Sequence, residues 1–140
     1  EREGGKILYG GKRPSLESPF DEGSFLEPTI VSNLDYQSRT ATEEIFGPVV
    51  TLHKFEKDED AVEMANCTEY GLAGSVWTSD SARGKSLAEK IETGMVWINT
   101  WLHRDLRVPF GGVKSSGVGT EGGRWSLSFF SQPVNICVKE

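Results

Sequence analysis

Cysteine, histidine and methionine are scarce in this chain, two of each in 140 residues. Cys67 and Cys137 lie far apart and match no C-x-x-C spacing, which argues against a structural metal site and for a reducing, cytoplasmic setting. His53 and His103 have no companion ligand at metal-binding spacing and read as ordinary polar residues. No apolar run approaches the roughly 20 residues that a membrane-spanning helix needs. The start of the chain also lacks the basic-then-apolar pattern of a signal peptide. Positive charge is in short supply: 15 Lys and Arg against 21 Asp and Glu give a net charge of -6, with a pI near 5.0. Phosphate backbones and acidic membranes need clustered cations, so neither nucleic acid nor a membrane is an expected partner. There is no internal repeat and no low-complexity tract.

What the chain does have is glycine and an alternation of short apolar segments. Sixteen glycines concentrate in Gly4-Gly5, Gly10-Gly11 and the stretch from Gly111 to Gly123, as in loops shaped for close approach to another backbone or a ligand. A hydrophobic content of 36% suits one ordinary domain with its own core. Lys6 to Tyr9 reads as a strand ended by Gly10-Gly11, and Lys12 to Gly23, with Pro14 and Pro19, as a surface loop. Phe25 to Val31 is expected to be extended, and Val49 to Leu52 to form a β-branched strand. A helix capped by Asp58 follows, then a strand over Leu72 to Trp77. A second helix is capped by Ser79 or Asp80, pairs Leu87 with Ile91 and stops at Gly94. Met95 to Asn99 is a continuous apolar strand. This β-α-β-α-β order predicts an α/β fold with one parallel sheet and flanking helices. From Thr100 to Gly123 regular structure gives way to a long loop, and loops longer than about 15 residues are usually functional. Trp125 to Phe130 reads as a short helix, and Val134 to Val138 as a final edge strand able to pair with another chain.

Four motifs carry chemical information. Glu43-Glu44-Ile45-Phe46-Gly47-Pro48-Val49-Val50 sets two carboxylates and a ring before a turn into an apolar strand. A carboxylate there can accept hydrogen bonds from both hydroxyls of a sugar's cis-diol, and a ring two residues on can lie against a flat heterocycle. The plain alternative is a solvated acidic turn. Pro109-Phe110-Gly111-Gly112-Val113-Lys114-Ser115-Ser116-Gly117-Val118-Gly119-Thr120-Glu121 is the second motif. Phe25-Leu26-Glu27-Pro28-Thr29 precedes both, and Asn66-Cys67-Thr68-Glu69-Tyr70-Gly71-Leu72 lies between them.

In this order and at this approximate spacing, the four motifs resemble the NAD(P)-dependent aldehyde dehydrogenases over nearly the whole chain, which corresponds to about the last third of a full-length member. The resemblance implies the later part of the catalytic α/β domain over residues 1–123, with the substrate-tunnel loop at 100–123. Residues 124–140 would be a short helix and the terminal oligomerisation strand, making homodimers or homotetramers. It gives Glu44 the hydroxyls of the nicotinamide ribose and Phe46 a place beside the nicotinamide. The cofactor is NAD, with NADP not excluded because the 2′-hydroxyl is read elsewhere in the family. Glu121, which closes a K-x-S-G-x-G-x-E turn, would help relay a proton; a surface carboxylate explains it equally well. Thr120 departs from the family's frequent arginine at that position, which weakens the expected ties of this loop to a subunit interface.

The tunnel loop runs Trp101-Leu102-His103-Arg104-Asp105-Leu106-Arg107-Val108-Pro109-Phe110. Its W-x-x-R-D-L pattern is similar to the branch that oxidises 2-amino- or 2-hydroxymuconic semialdehyde, whose substrates carry a carboxylate beyond the aldehyde. Guanidinium suits bidentate capture of a carboxylate. Arg104 is the first choice for that contact and Arg107 the second, with Phe110 as a wall of the tunnel. The alternative is that either arginine pairs with Asp105 or faces solvent. The family's nucleophile sits in a G-Q-x-C context, which neither Cys67 nor Cys137 has, and its L-E-x-G-G-K base segment and glycine-rich pyrophosphate turn are also missing. With Glu1 rather than methionine first, this is the pattern expected of a segment that cannot catalyse the reaction alone. A non-catalytic α/β interaction module is the rival reading.

Overall fold

The computed structural model describes residues 1–139, which fall into two compact units, Glu1–Thr68 and Glu69 onward. In the first unit, β1 (Lys6–Tyr9) pairs antiparallel with β2 (Thr29–Ser32). A one-turn helix, α1 (Arg39–Thr42), comes next, and β3 (Val49–Leu52) then pairs parallel with β2, Thr29 facing Val49 and Ser32 facing Leu52. Gly10 shows why glycine ends β1: its φ is +70°, and a Cβ there would lie 2.1 Å from the Pro28 carbonyl oxygen. Thr29, buried at the start of β2, donates its hydroxyl to the Glu27 carbonyl at 2.7 Å and accepts the Gly11 N–H at 2.9 Å. The buried apolar residues of this unit are Val31 and Leu34. Helix α2 (Asp58–Asn66) closes it, with Asp58, Glu59 and Asp60 in its first turn, where carboxylates suit the exposed N–H groups.

The second unit opens with β4 (Tyr70–Gly71), followed by β5 (Ala73–Val76), α3 (Ser81–Ala88) and β6 (Met95–Ile98). β5 and β6 pair parallel, Ala73 facing Met95 and Val76 facing Ile98, with α3 as the crossover. Of the two expected candidates, Ser79 and Asp80, it is Asp80 that caps α3, accepting the N–H groups of Ala82 and Arg83 at 3.0 Å each. Asn99 then fastens the strand end to the start of the helix segment. Its amide accepts the Thr78 N–H at 2.8 Å and donates to the Thr78 carbonyl at 2.7 Å. Further on, β7 (Val113–Lys114) pairs antiparallel with β4, and α4 (Gly123–Phe129) is the last helix.

The α/β class stands, but several expectations need correction. The single parallel sheet is three sheets among the described residues, and parallel pairing is confined to β2–β3 and β5–β6. Strand β1 pairs antiparallel with β2, and β7 pairs antiparallel with β4. Asp58 lies inside its helix; the cap is Lys57, whose N–H reaches the Asp60 carboxylate at 3.3 Å. Helix α3 ends at Ala88, where the chain tightens as Lys90 N–H bonds to the Leu87 carbonyl at 3.0 Å, so Ile91 and Gly94 lie beyond it. The short helix expected over Trp125 to Phe130 is α4, begun two residues earlier. Val134 to Val138 is in no strand among the described residues, and Val134, Ile136 and Val138 are each more than four-fifths exposed.

Gly94 has a different role from ending a helix. A Cβ there would lie 1.5 Å from the Gly111 carbonyl oxygen, so only a glycine lets the backbone before β6 pass under the tunnel loop. Gly94→Ala is therefore expected to destabilise the protein by about 3 kcal/mol or more in urea unfolding. Gly47→Ala, where nothing stands within 4 Å, is the control and is expected to shift stability by less than about 0.5 kcal/mol. Equal shifts would refute the packing argument.

Candidate functional site

Two places carry the residues singled out by sequence, one in each unit. In the first unit, α1 ends at Thr42 and the chain reaches β3 through Glu43–Pro48. Two tight three-residue turns shape this approach: Gly47 N–H bonds to the Ile45 carbonyl at 2.6 Å, and Val49 N–H to the Gly47 carbonyl at 2.8 Å. The Pro48 carbonyl accepts the Thr29 N–H at 2.8 Å, which ties the turn to the first residue of β2. The two adjacent acids are not equivalent. Glu43 takes the Arg39 guanidinium at 2.6 Å, an i,i+4 pair along α1, and that contact raises Arg39 above its usual range. Glu44 is exposed, with no hydrogen bond or ion pair among the described residues. The Phe46 ring is 98% exposed. An unpaired carboxylate two residues from an uncovered ring fits a cis-diol and a flat heterocycle in composition.

In the second unit, the tunnel loop hangs from β6. Trp97, 6% exposed, donates its indole N–H to the His103 carbonyl at 2.8 Å, and its ring meets Trp101 edge-on with centroids 4.8 Å apart. That fixes the backbone one residue before Arg104. The Arg104 guanidinium lies over the Phe110 ring, 4.1 Å from the centroid, and its Nη2 donates to Glu121 Oε1 at 3.2 Å. Phe110 and Glu121 are themselves joined through the backbone, each N–H reaching the other's carbonyl at 2.8 Å. Three residues picked out by sequence, Arg104, Phe110 and Glu121, are thus one cluster.

Arg107 is not in it. Its Nε donates to the two Asp105 carboxylate oxygens at 2.9 and 3.0 Å, and its own N–H adds a further bond to Asp105 Oδ1 at 2.9 Å. The guanidinium holds the Asp105 carboxyl below its ordinary range, and the carboxylate in turn raises Arg107. Because the folded value is depressed, this pair is intact at neutral pH and opens only as pH falls through the lowered carboxyl range.

The cluster faces two hollows. One of about 250 Å³ is lined by Arg104, Asp105, Val108, Phe110 and Glu121 among others. The other, of about 400 Å³, is walled by Leu72, Val118, Phe129 and Phe130 together with the glycines of the 111–119 turn. Phe110 and Glu121 border both. The glycines are needed there for proximity: a Cβ on Gly111 would sit 2.6 Å from the Gly119 carbonyl oxygen. Sequence reading missed the Trp97 anchor and the Arg104–Glu121 contact. The first has no sequence signal beyond a Trp in an apolar strand, and the second joins residues 17 positions apart. No group of histidines, cysteines and carboxylates suited to a metal ion occurs among the described residues. Cys67, at the end of α2, donates its thiol to the Met64 carbonyl at 3.1 Å.

The chain belongs to the aldehyde dehydrogenase family, matching it over residues 1–136. It is 44% identical over 137 residues to a 2-hydroxymuconic semialdehyde dehydrogenase of Pseudomonas sp. (strain CF600), covering 98% of this chain and 28% of that protein. It is 41% identical over 138 residues to a 2-aminomuconic 6-semialdehyde dehydrogenase of Pseudomonas sp., covering 99% and 28%. A crystal structure of betaine aldehyde dehydrogenase from Staphylococcus aureus in complex with NAD+ superposes with a TM-score of 0.86 at 42% identity, over 92% of this chain and 25% of that one. The chain thus spans little more than a quarter of the length of these relatives. No helix among the described residues is long and apolar enough to cross a membrane.

Proposed function

We propose that this chain is the C-terminal segment of an NAD(P)-dependent aldehyde dehydrogenase that oxidises a small, carboxylate-bearing semialdehyde of the muconic type to its acid. The observation that carries the reading is Arg104, set by Phe110 and the Trp97-anchored loop at a hollow of about 250 Å³, in a chain similar to two muconic semialdehyde dehydrogenases. Residues 1–123 belong to the catalytic domain and residues 124–140 to the region that joins subunits, through pairing of the Val134 to Val138 segment with another copy. The setting is the cytoplasm.

The unpaired Glu44 carboxylate accepts the hydroxyls of the cofactor's ribose, and Phe46 packs beside its nicotinamide. NAD(P), when bound, accepts hydride from the substrate. Arg104 neutralises the remote carboxylate of the semialdehyde and so orients the aldehyde, while Phe110 walls the tunnel. Arg107 has the second claim on the carboxylate, a weaker one because Asp105 already occupies its fork. Glu121 passes a proton outward. The nucleophilic thiol and the base lie in segments that this chain does not include, since neither cysteine has the G-Q-x-C context.

The chain by itself is therefore expected to form no NADH from a panel of aldehydes in a spectrophotometric assay. Turnover that Cys67→Ala abolishes would put the nucleophile in this segment. In the full-length enzyme Glu44→Gln is expected to slow hydride transfer tenfold or more, since a charge-assisted hydrogen bond is worth about 1.5–3 kcal/mol. Single-turnover kinetics equal to wild type would remove Glu44 from the cofactor site. Arg104→Ala in the same enzyme is expected to lower kcat/KM for a carboxylated semialdehyde by about 2 kcal/mol or more. A short aliphatic aldehyde is expected to be unaffected or slightly improved by it. A common loss for both substrates would make Arg104 structural.

A further inference from the structure

The hollow around Arg104 contains no uncancelled positive charge, although two arginines border it or lie beside it. Arg107 is neutralised by Asp105, and Arg104 by Glu121 at 3.2 Å. Resting on the reading of Arg104 as the substrate's carboxylate contact, we infer that Glu121 is a specificity-determining positioning residue: its carboxylate competes with that of the substrate for the Arg104 guanidinium and thereby limits how strongly the site prefers anionic aldehydes.

Three features of the geometry carry this. First, the backbone of Glu121 is held beside Phe110 by hydrogen bonds of 2.8 Å in both directions, and Phe110 is the ring over which the guanidinium lies at 4.1 Å, so the competing carboxylate and the ring beneath the guanidinium start from one short, paired segment. Second, the contact is monodentate, through Nη2 alone, so one of the two parallel N–H forks of the guanidinium is left for a ligand carboxylate. A substrate bound there places its negative charge beside that of Glu121. Third, the pair is only partly desolvated, with Arg104 side-chain exposure of 38% and Glu121 of 65%. A pair so exposed adds little to stability, so the effect of Glu121 falls on ligand charge and not on folding. Glu121 and Phe110 also border the apolar hollow, which puts the competing charge at the junction a bifunctional ligand must cross.

This role separates from two others for the same residue. A proton relay would change kcat for every aldehyde alike. A residue that merely holds Arg104 in place would, when removed, weaken the binding of anionic substrates. Competition makes removal of the charge strengthen it, a form of selectivity built by repulsion.

The test uses the full-length enzyme and a matched pair of substrates, a carboxylated semialdehyde and its methyl ester, so that losses common to both cancel. Glu121→Gln is expected to raise the acid-to-ester ratio of kcat/KM by roughly tenfold, through a lower KM for the acid, the scale of one like-charge contact at a half-exposed site. In an Arg104→Ala background the same substitution is expected to leave the ratio where Arg104→Ala alone puts it. An unchanged or lower ratio in Glu121→Gln, with Arg104→Ala still lowering it, overturns the inference and spares the reading of Arg104. An Arg104→Ala variant with an unaltered ratio overturns both. An equal fall in kcat for acid and ester, with the ratio unmoved, leaves Glu121 a relay without the competing role and overturns the inference. Should Glu121→Gln be unstable, Glu121→Asp draws the charge back by one methylene and is expected to raise the ratio to a smaller extent; no rise there counts against the competition.

Discussion

The hydrogen bond from the Trp97 indole to the His103 carbonyl is the contact on which the arrangement of Arg104, Phe110 and Glu121 rests. Trp97 lies in β6 opposite Ser75 of β5, and it is the most deeply buried aromatic residue described. A large ring held by a strand on one side and by Trp101 on the other moves little, so the carbonyl it grips moves little either. The next residue is Arg104. A long, rotatable side chain that would otherwise sample many rotamers begins from a fixed point and is then steered by the Phe110 face and the Glu121 carboxylate. A loop of irregular backbone thereby acquires the precision usually found on helices and strands.

Glycine makes the remainder of that loop possible. The chain before β6 and the turn after Phe110 approach so closely that Gly94 and Gly111 have no room for side chains, and Gly111 meets the Gly119 carbonyl in the same way. Backbone thus stacks on backbone, and Ser116 completes the arrangement by accepting the Gly71 N–H at 2.8 Å. The β4–β7 pair is the short ladder this close approach allows.

Charge pairing divides the residues into those with a local partner and those without one. Arg39 with Glu43 and Arg107 with Asp105 are local pairs, four and two residues apart, and each satisfies its members within one short segment. Those pairs leave Glu44 uncommitted beside Glu43 and make Arg104 the arginine of its loop held by a distant partner.

Much of this was legible in the sequence. The E-E-I-F-G-P and K-S-S-G-V-G-T-E runs carried the family, because such motifs fix backbone turns whose residues cannot be exchanged freely. The strands at Lys6, Val49, Leu72 and Met95 and the Asp80 cap were also readable, since apolar runs and capping chemistry are local. Helix α1, a single turn, escaped because one turn has no periodicity to detect, and the division into three sheets escaped because strand partners are chosen by packing far along the chain. The same holds for the site. Sequence alone determined that Arg104, Arg107, Phe110 and Glu121 are present in a loop of suitable chemistry. Only the tertiary structure decided that Asp105 takes Arg107 while Glu121 takes Arg104, because a guanidinium binds whichever carboxylate the folded backbone brings within about 3 Å.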